Sequence, residues 1–352
     1  MSTSLETRLA SGGVICAGGY LFEVERRGYI RAGEFVPTVA LEHPEVLAQV
    51  TRDFLRAGSD VALAFTYNGH REKLRIIGQE DLLEKLNRAA LRIANHVADE
   101  EAASSGMRAL VAGNISNTNI FDPDDPASHV TVRDMYREMI GWAAEAGVDY
   151  MQAETIYYLE EAKIALEEIQ RAGLPSVMMV AAFADGNLRD STPEDACEAL
   201  SQLGATVVGV NCFRGPKTML PLLERVRARV TDGYLGTLPV AYRTTGEHPT
   251  MFNLPDPHNT ATIPNGRTFP AALEGQQCNR YELGEFTKTV WDMGFRFVGV
   301  CCGGSVIHHR AVAEALGRQP YASKYSPDMS KHFMYGTDAS LKPHMQAHGE
   351  EA

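Results

Sequence analysis

Eight short runs rich in β-branched and other apolar residues recur along the 352-residue chain, at 14–20, 61–67, 109–115, 150–155, 177–183, 207–212, 238–244 and 297–304. Between them lie amphipathic stretches, several of which end in glycine: 54–58, 142–147, 200–204 and 291–294. Glycine just past the last periodic residue is a helix stop, because it enters the left-handed region without a Cβ penalty. Near-continuous apolar strands imply burial on both faces, and helices between them imply parallel pairing through crossovers. Eight such units match a closed barrel. A doubly wound open sheet is the competing arrangement, but no glycine fingerprint of a dinucleotide site follows the first run, and polar residues gather at the ends of many runs. The expected fold is α/β, a (β/α)8 TIM barrel.

Two segments interrupt the repeat: a long first loop at 21–45, and a longer seventh loop at 245–275 that is rich in Pro, Asn and Gly. Long loops after barrel strands build an active-site rim. Residues 1–319 are expected to form the barrel and 320–352 a C-terminal tail. That tail carries Tyr321, Tyr325, Phe333 and Tyr335 among polar residues and is expected to pack on its own barrel or on a neighbouring subunit. A formal charge of −12 and a pI near 5.4 oppose a nucleic-acid partner, which needs a basic face, and favour a small-molecule substrate. No apolar run approaches the roughly 20 residues of a membrane span. The opening MSTSLETRLASGG lacks the basic and apolar regions of a secretory signal, so a cytoplasmic location is the expectation.

Six cysteines in so long a chain are too sparse for a disulfide scaffold and are expected as free thiols or metal ligands. Cys212 closes the sixth run in VGVNC, and Cys301 with Cys302 closes the eighth in VGVCCGGS. In a barrel, both run ends reach the same catalytic rim. Three thiolates are soft ligands that suit Zn²⁺, and three protein ligands leave one tetrahedral position open, the mark of a catalytic site. A thiol substrate in that position is activated as a nucleophile toward an electrophilic methyl group. Buried apolar cysteines and a vicinal disulfide are the competing interpretations. Cys16, Cys197 and Cys278 lack the shared context, and Cys197 falls on the apolar spacing of a helix, as a core residue does.

With GG at 18–19, RGYIRAG at 27–33, EHPE at 42–45, FLRAGSD at 54–60, FT at 65–66, GVNC at 209–212 and GVCCGG at 299–304, the chain resembles the homocysteine S-methyltransferase family, its betaine-dependent members most of all. The resemblance covers nearly the whole length. It implies a TIM barrel, zinc held by Cys212, Cys301 and Cys302, homocysteine as the thiol, and a homo-oligomer whose tail takes part in subunit contacts. It further implies that Glu154 holds the acceptor's ammonium, a pairing with clear physical sense, and that Gly18, Gly19 and Thr66 contact the same ligand.

Departures from the family pattern bear on both substrates. Ala17 stands where relatives carry an aspartate before the paired glycines. Phe35, Asn68 and Thr155 stand where the resemblance suggests Trp, Tyr and Tyr around a quaternary ammonium, which aromatic faces attract. Phe35 and Tyr67 keep aromatic character, whereas Asn68 and Thr155 add hydrogen-bonding groups. The expected donor is therefore an onium compound, betaine-like or sulfonium, other than glycine betaine itself. Ala17 also fits a second function, a closed structural or redox-sensing three-cysteine zinc site without methyl transfer. A metal-free lyase or hydrolase on the same barrel is a third.

Overall fold

The structure, a computed structural model, describes residues 4–256 and 267–351. Eight strands form one parallel sheet: β1 (Val14–Ala17), β2 (Val61–Leu63), β3 (Leu110–Ser116), β4 (Tyr150–Ile156), β5 (Ser176–Val180), β6 (Val207–Asn211), β7 (Tyr234–Leu238) and β8 (Phe295–Val300). Their order is β1-β8-β7-β6-β5-β4-β3-β2, with helices between them, a nearly closed (β/α)8 barrel. Alternate residues of each strand enter different cores. Val14, Cys16, Val61, Leu110, Tyr150, Val177, Val207 and Phe297 pack together inside the barrel, while Ile15, Ala62, Val111, Met151, Met178, Val208 and Val298 pack in a second cluster with the helices. This two-sided burial is why the strands read as unbroken apolar runs. The expected glycine stops hold: Gly58, Gly147, Gly204 and Gly294 all have positive φ.

β1 and β2 are joined mainly by side chains rather than by a ladder. The Asp60 amide donates to the Ile15 carbonyl at 2.7 Å, the Ile15 amide donates to the Asp60 carboxylate at 2.8 Å, and the Ala17 amide donates to Ser59 Oγ at 3.2 Å. Arg318, beyond the last barrel helix, binds the same Asp60 carboxylate and the carbonyls of Gly12 and Gly13.

Some boundaries differ from those read in the sequence. Several runs overshoot their strands at the C-terminal end because the loop residues there, such as 64–65 and 181–182, are themselves buried and apolar. The seventh strand is Tyr234–Leu238 rather than 238–244, since Pro239 has no amide to continue a ladder. The first long loop contains helices at Tyr20–Arg26 and Val39–Glu42, and the helix Pro44–Arg56 begins inside its last residues. Much of the seventh loop, 257–266, lies outside the described residues. The tail starts with a 3-10 turn at Tyr321–Tyr325, held where Arg310 donates to the Tyr325 carbonyl, and ends in the helix Pro343–Glu351.

Candidate active site

The three cysteines are delivered by backbone that has just left the sheet. β6 ends at Asn211, and Cys212 and Phe213 both adopt a left-handed φ of 57°, which turns the chain sharply at the rim. The segment after β7 then ties the ends of β6 and β8 together. The Cys212 amide donates to Leu238 O at 2.9 Å, the Cys301 amide to Pro239 O at 2.8 Å, and the Ala241 amide to Cys302 O at 2.9 Å. As a result the three Sγ atoms all lie within 4.8 Å of one another, with Cys212 to Cys302 at 3.6 Å and Cys301 to Cys302 at 4.0 Å. A tetrahedral ion with Zn–S bonds of about 2.3 Å sets its sulfur ligands roughly 3.8 Å apart. Spacing and donor type both fit zinc.

The protonation of the three thiols is shared. Hydrogen bonds from Cys301 and Cys302 hold the Cys212 thiol well below its usual range, and the same pairing pushes Cys301 and Cys302 up. A cation among them would favour the ionised form of all three.

Beside the sulfurs is a cavity of about 20 Å³ bordered by Gly18, Tyr20, Tyr67, Asn114, Glu154, Cys301 and Cys302. Glu154, only 3% exposed, receives a hydrogen bond on each carboxylate oxygen, from Asn114 Nδ2 at 2.6 Å and from Asn211 Nδ2 at 2.9 Å. Burial raises its pKa to about 7, opposed by the Asn114 bond. Gly19 packs against the turn after the cysteine pair, where a Cβ would meet the Gly304 carbonyl at 2.3 Å. The Thr66 hydroxyl donates to Asn114 O at 2.5 Å, so Thr66 supports the residue that supports Glu154. Ala17 is fully buried.

Phe35, Asn68 and Thr155 share an unusual backbone, with φ of 53°, 59° and 58°. The polar groups of the last two are taken up by the chain. Asn68 Nδ2 donates to Phe35 O at 3.3 Å, and Thr155 Oγ1 accepts from Asn211 Nδ2 at 3.2 Å. Tyr67 borders the cavity, and its hydroxyl is pushed up by burial and the nearby sulfurs.

Sequence reasoning passed over two features. Asn211 and Asn114 organise the carboxylate, and their signal was a polar residue inside an apolar run, in GVNC and AGNIS. An arc of rings also crosses the rim, Phe22 to Phe269 to Phe252 to Phe213 to Phe183 to Tyr157, with neighbouring centroids 4.6 to 6.4 Å apart. Its members come from separate loops, so no spacing announces it. A larger cavity of about 840 Å³ lies at the opposite end of the barrel, but it holds no cysteine, and there Arg318 pairs with Asp60 and Arg56 with Glu101. That end of a barrel serves stability.

The barrel thus carries a three-sulfur cluster and a buried carboxylate at its C-terminal rim, the end where the active sites of such barrels lie. The homocysteine S-methyltransferase family model matches residues 14–316, and the chain belongs to that family. It is 32% identical to betaine–homocysteine S-methyltransferase 1 of Mus musculus, over 97% of this chain and 81% of that protein. It is 30% identical to the S-methylmethionine–homocysteine S-methyltransferase BHMT2 of Rattus norvegicus, over 97% and 88%. The metallated form of the homocysteine methyltransferase MmuM from Escherichia coli shares the fold, with a TM-score of 0.66 at 18% identity, over 86% of this chain and 96% of that one. Among the described residues no helix is long and apolar enough to cross a membrane.

Proposed function

We propose that this protein moves a methyl group from an onium donor to the thiol of homocysteine, giving methionine, at a zinc site formed by Cys212, Cys301 and Cys302. The observation that carries this is three sulfurs within 4.8 Å of one another, two of which border the same cavity as a buried carboxylate. Zinc held by three thiolates keeps a fourth position open and lowers the pKa of a thiol placed there. Glu154 pairs with the acceptor's ammonium, oriented by the amides of Asn114 and Asn211. Gly18 and Gly19 offer backbone contacts to the acceptor, and Thr66 contacts it through its hydroxyl and steadies Asn114. The acceptor sulfur, having lost its proton to solvent, attacks the donor methyl carbon. The new S–C bond forms as the donor's N–C or S–C bond breaks, and that bonding pair leaves with a neutral amine or sulfide.

Phe35 and Tyr67 offer the donor aromatic faces, and Asn68 and Thr155 leave open the cage that two further rings would complete. Glycine betaine is therefore a poor donor, and a bulkier or more polar onium compound takes its place. Residues 320–352 serve in subunit contact within a cytoplasmic homo-oligomer, supported by the exposure of Tyr325, Phe333 and Tyr335. The test is metal analysis with X-ray absorption, then a screen of methylated onium compounds against homocysteine and other thiols, read by mass spectrometry. One zinc with three sulfur ligands and a thiol-dependent fourth is expected. A shell dominated by nitrogen or oxygen overturns the metal assignment, and a shell unmoved by thiols favours the closed site that Ala17 suggested.

A further inference from the structure

Asn211 is fully buried and sits where three parts of the site meet. Its Nδ2 faces Glu154 Oε2 at 2.9 Å, Thr155 Oγ1 at 3.2 Å and Cys301 Sγ at 3.8 Å, while its Oδ1 accepts from the Thr155 amide at 2.9 Å. A side-chain amide has only two N–H donors, so the three Nδ2 contacts must share them, one N–H lying between two acceptors. The next residue is Cys212, so the amide's position is fixed by the same turn that presents that sulfur. Its Oδ1 also holds Thr155 in a left-handed φ of 58°, a conformation that a β-branched residue keeps only when its surroundings enforce it.

We propose that Asn211 is a positioning residue that couples the metal thiolates to the acceptor's ammonium anchor, an assignment that rests on the roles given above to Glu154 and the three cysteines. One N–H aims the Glu154 carboxylate toward the cavity and opposes its rotation away. The other is shared between Thr155 Oγ1 and the Cys301 sulfur, where it disperses thiolate charge and favours one direction for the lone pair offered to the metal. Groups one step removed from a metal commonly change its affinity about 10- to 100-fold, by orienting the ligands that touch it. Because one planar amide serves both sides, any rotation that improves one contact spoils the other.

A double-mutant cycle separates this from a packing role. Asn211→Leu keeps the side chain's branched shape and removes its hydrogen bonds, and it is combined with Glu154→Gln. Homocysteine binding to the zinc-loaded protein is measured by calorimetry, and zinc retention by competition with a chromogenic chelator. Asn211→Leu is expected to weaken homocysteine about tenfold or more with Glu154 present and less than about twofold in the Glu154→Gln background, since the effect passes through the carboxylate. Zinc is expected to be lost to the chelator about tenfold more readily in both backgrounds. Equal losses of homocysteine affinity in the two backgrounds, or no loss in either, would overturn the coupling. If Asn211→Leu does not fold, Asn211→Ser is read by the same criteria. Failure of the unmodified protein to bind zinc or homocysteine would instead overturn the function proposed above.

Discussion

Replacing both Asn68 and Thr155 with tyrosine tests the donor assignment, and the structure predicts unequal consequences at the two positions. Asn68→Tyr removes the 3.3 Å bond to the Phe35 carbonyl, worth about 1 kcal/mol. It also places a ring-bearing residue at φ 59°, a backbone that asparagine tolerates better, for roughly 1 kcal/mol more. Thr155→Tyr gives up the bond from Asn211 but removes a β-branch from a left-handed backbone, so the two effects nearly cancel. The pair is thus expected to cost about 2 kcal/mol of stability, nearly all of it from position 68. Two new aromatic faces add roughly 0.5–2 kcal/mol each toward a trimethylammonium group, or about five- to several-hundred-fold in KM for glycine betaine. Steady-state kinetics with glycine betaine and with S-methylmethionine, alongside urea denaturation of each single and double variant, measure both quantities. The reasoning fails if the unmodified protein turns over glycine betaine at a rate no other donor exceeds, or if the folded double variant leaves its KM unchanged.

Cys212→Ala, Cys301→Ala and Cys302→Ala are each expected to lose most of the bound metal and essentially all methyl transfer, whereas Cys197→Ala, in the core against the barrel, is expected to do neither. Metal retained at full stoichiometry by any of the first three would remove that residue from the site. Glu154→Gln is expected to keep zinc and to weaken homocysteine by about 1.5–3 kcal/mol, the worth of one charged hydrogen-bonded pair, as read by calorimetry. Unchanged affinity would place the ammonium elsewhere. His309 is fully buried with neither ring nitrogen hydrogen-bonded among the described residues, and burial lowers its pKa to about 3. The folded state therefore keeps it neutral while the unfolded chain takes up a proton near 6.5. Its contribution to stability is complete above that pH and is lost as pH falls, by about 2 kcal/mol at pH 5. His309→Phe, whose ring can keep the edge contact with Phe54, is expected to remove that loss, and a denaturation midpoint that falls equally steeply with acid in the variant would refute it.

The barrel was legible because its two periodic signals are strong. Eight buried strands cannot avoid apolar runs, and the left-handed turns at Gly58, Gly147, Gly204 and Gly294 admit little else. The cysteines were legible because both strand ends carry them in the same local context. What the sequence hid depends on three-dimensional partners. The stretch 239–244 has a strand's composition, yet it bonds across to Arg214, Cys301 and Cys302 instead of extending a ladder. Asn68 and Thr155 look like polar pocket walls until their partners, Phe35 and Asn211, are known. Asn211 itself was visible in GVNC, but a cysteine beside it drew the chemical meaning, and nothing in a linear pattern reveals that one amide reaches two strands.

The way the barrel closes also governs when the site exists during synthesis. β1 takes its ladder from β8, and its other edge is clasped by Asp60 and Ser59, with Arg318 fastening Asp60 from near the far end of the chain. A nascent chain has therefore made seven strands before β1 has a ladder partner, and the Arg318 contact that fastens the clasp comes from a residue that emerges later still. Over the same interval Cys212 has been made and Cys301 and Cys302 have not. Chains that stop before Cys301 hold at most one of the three sulfurs of the proposed metal site, so closure of the ring and assembly of the cluster both belong to the end of synthesis.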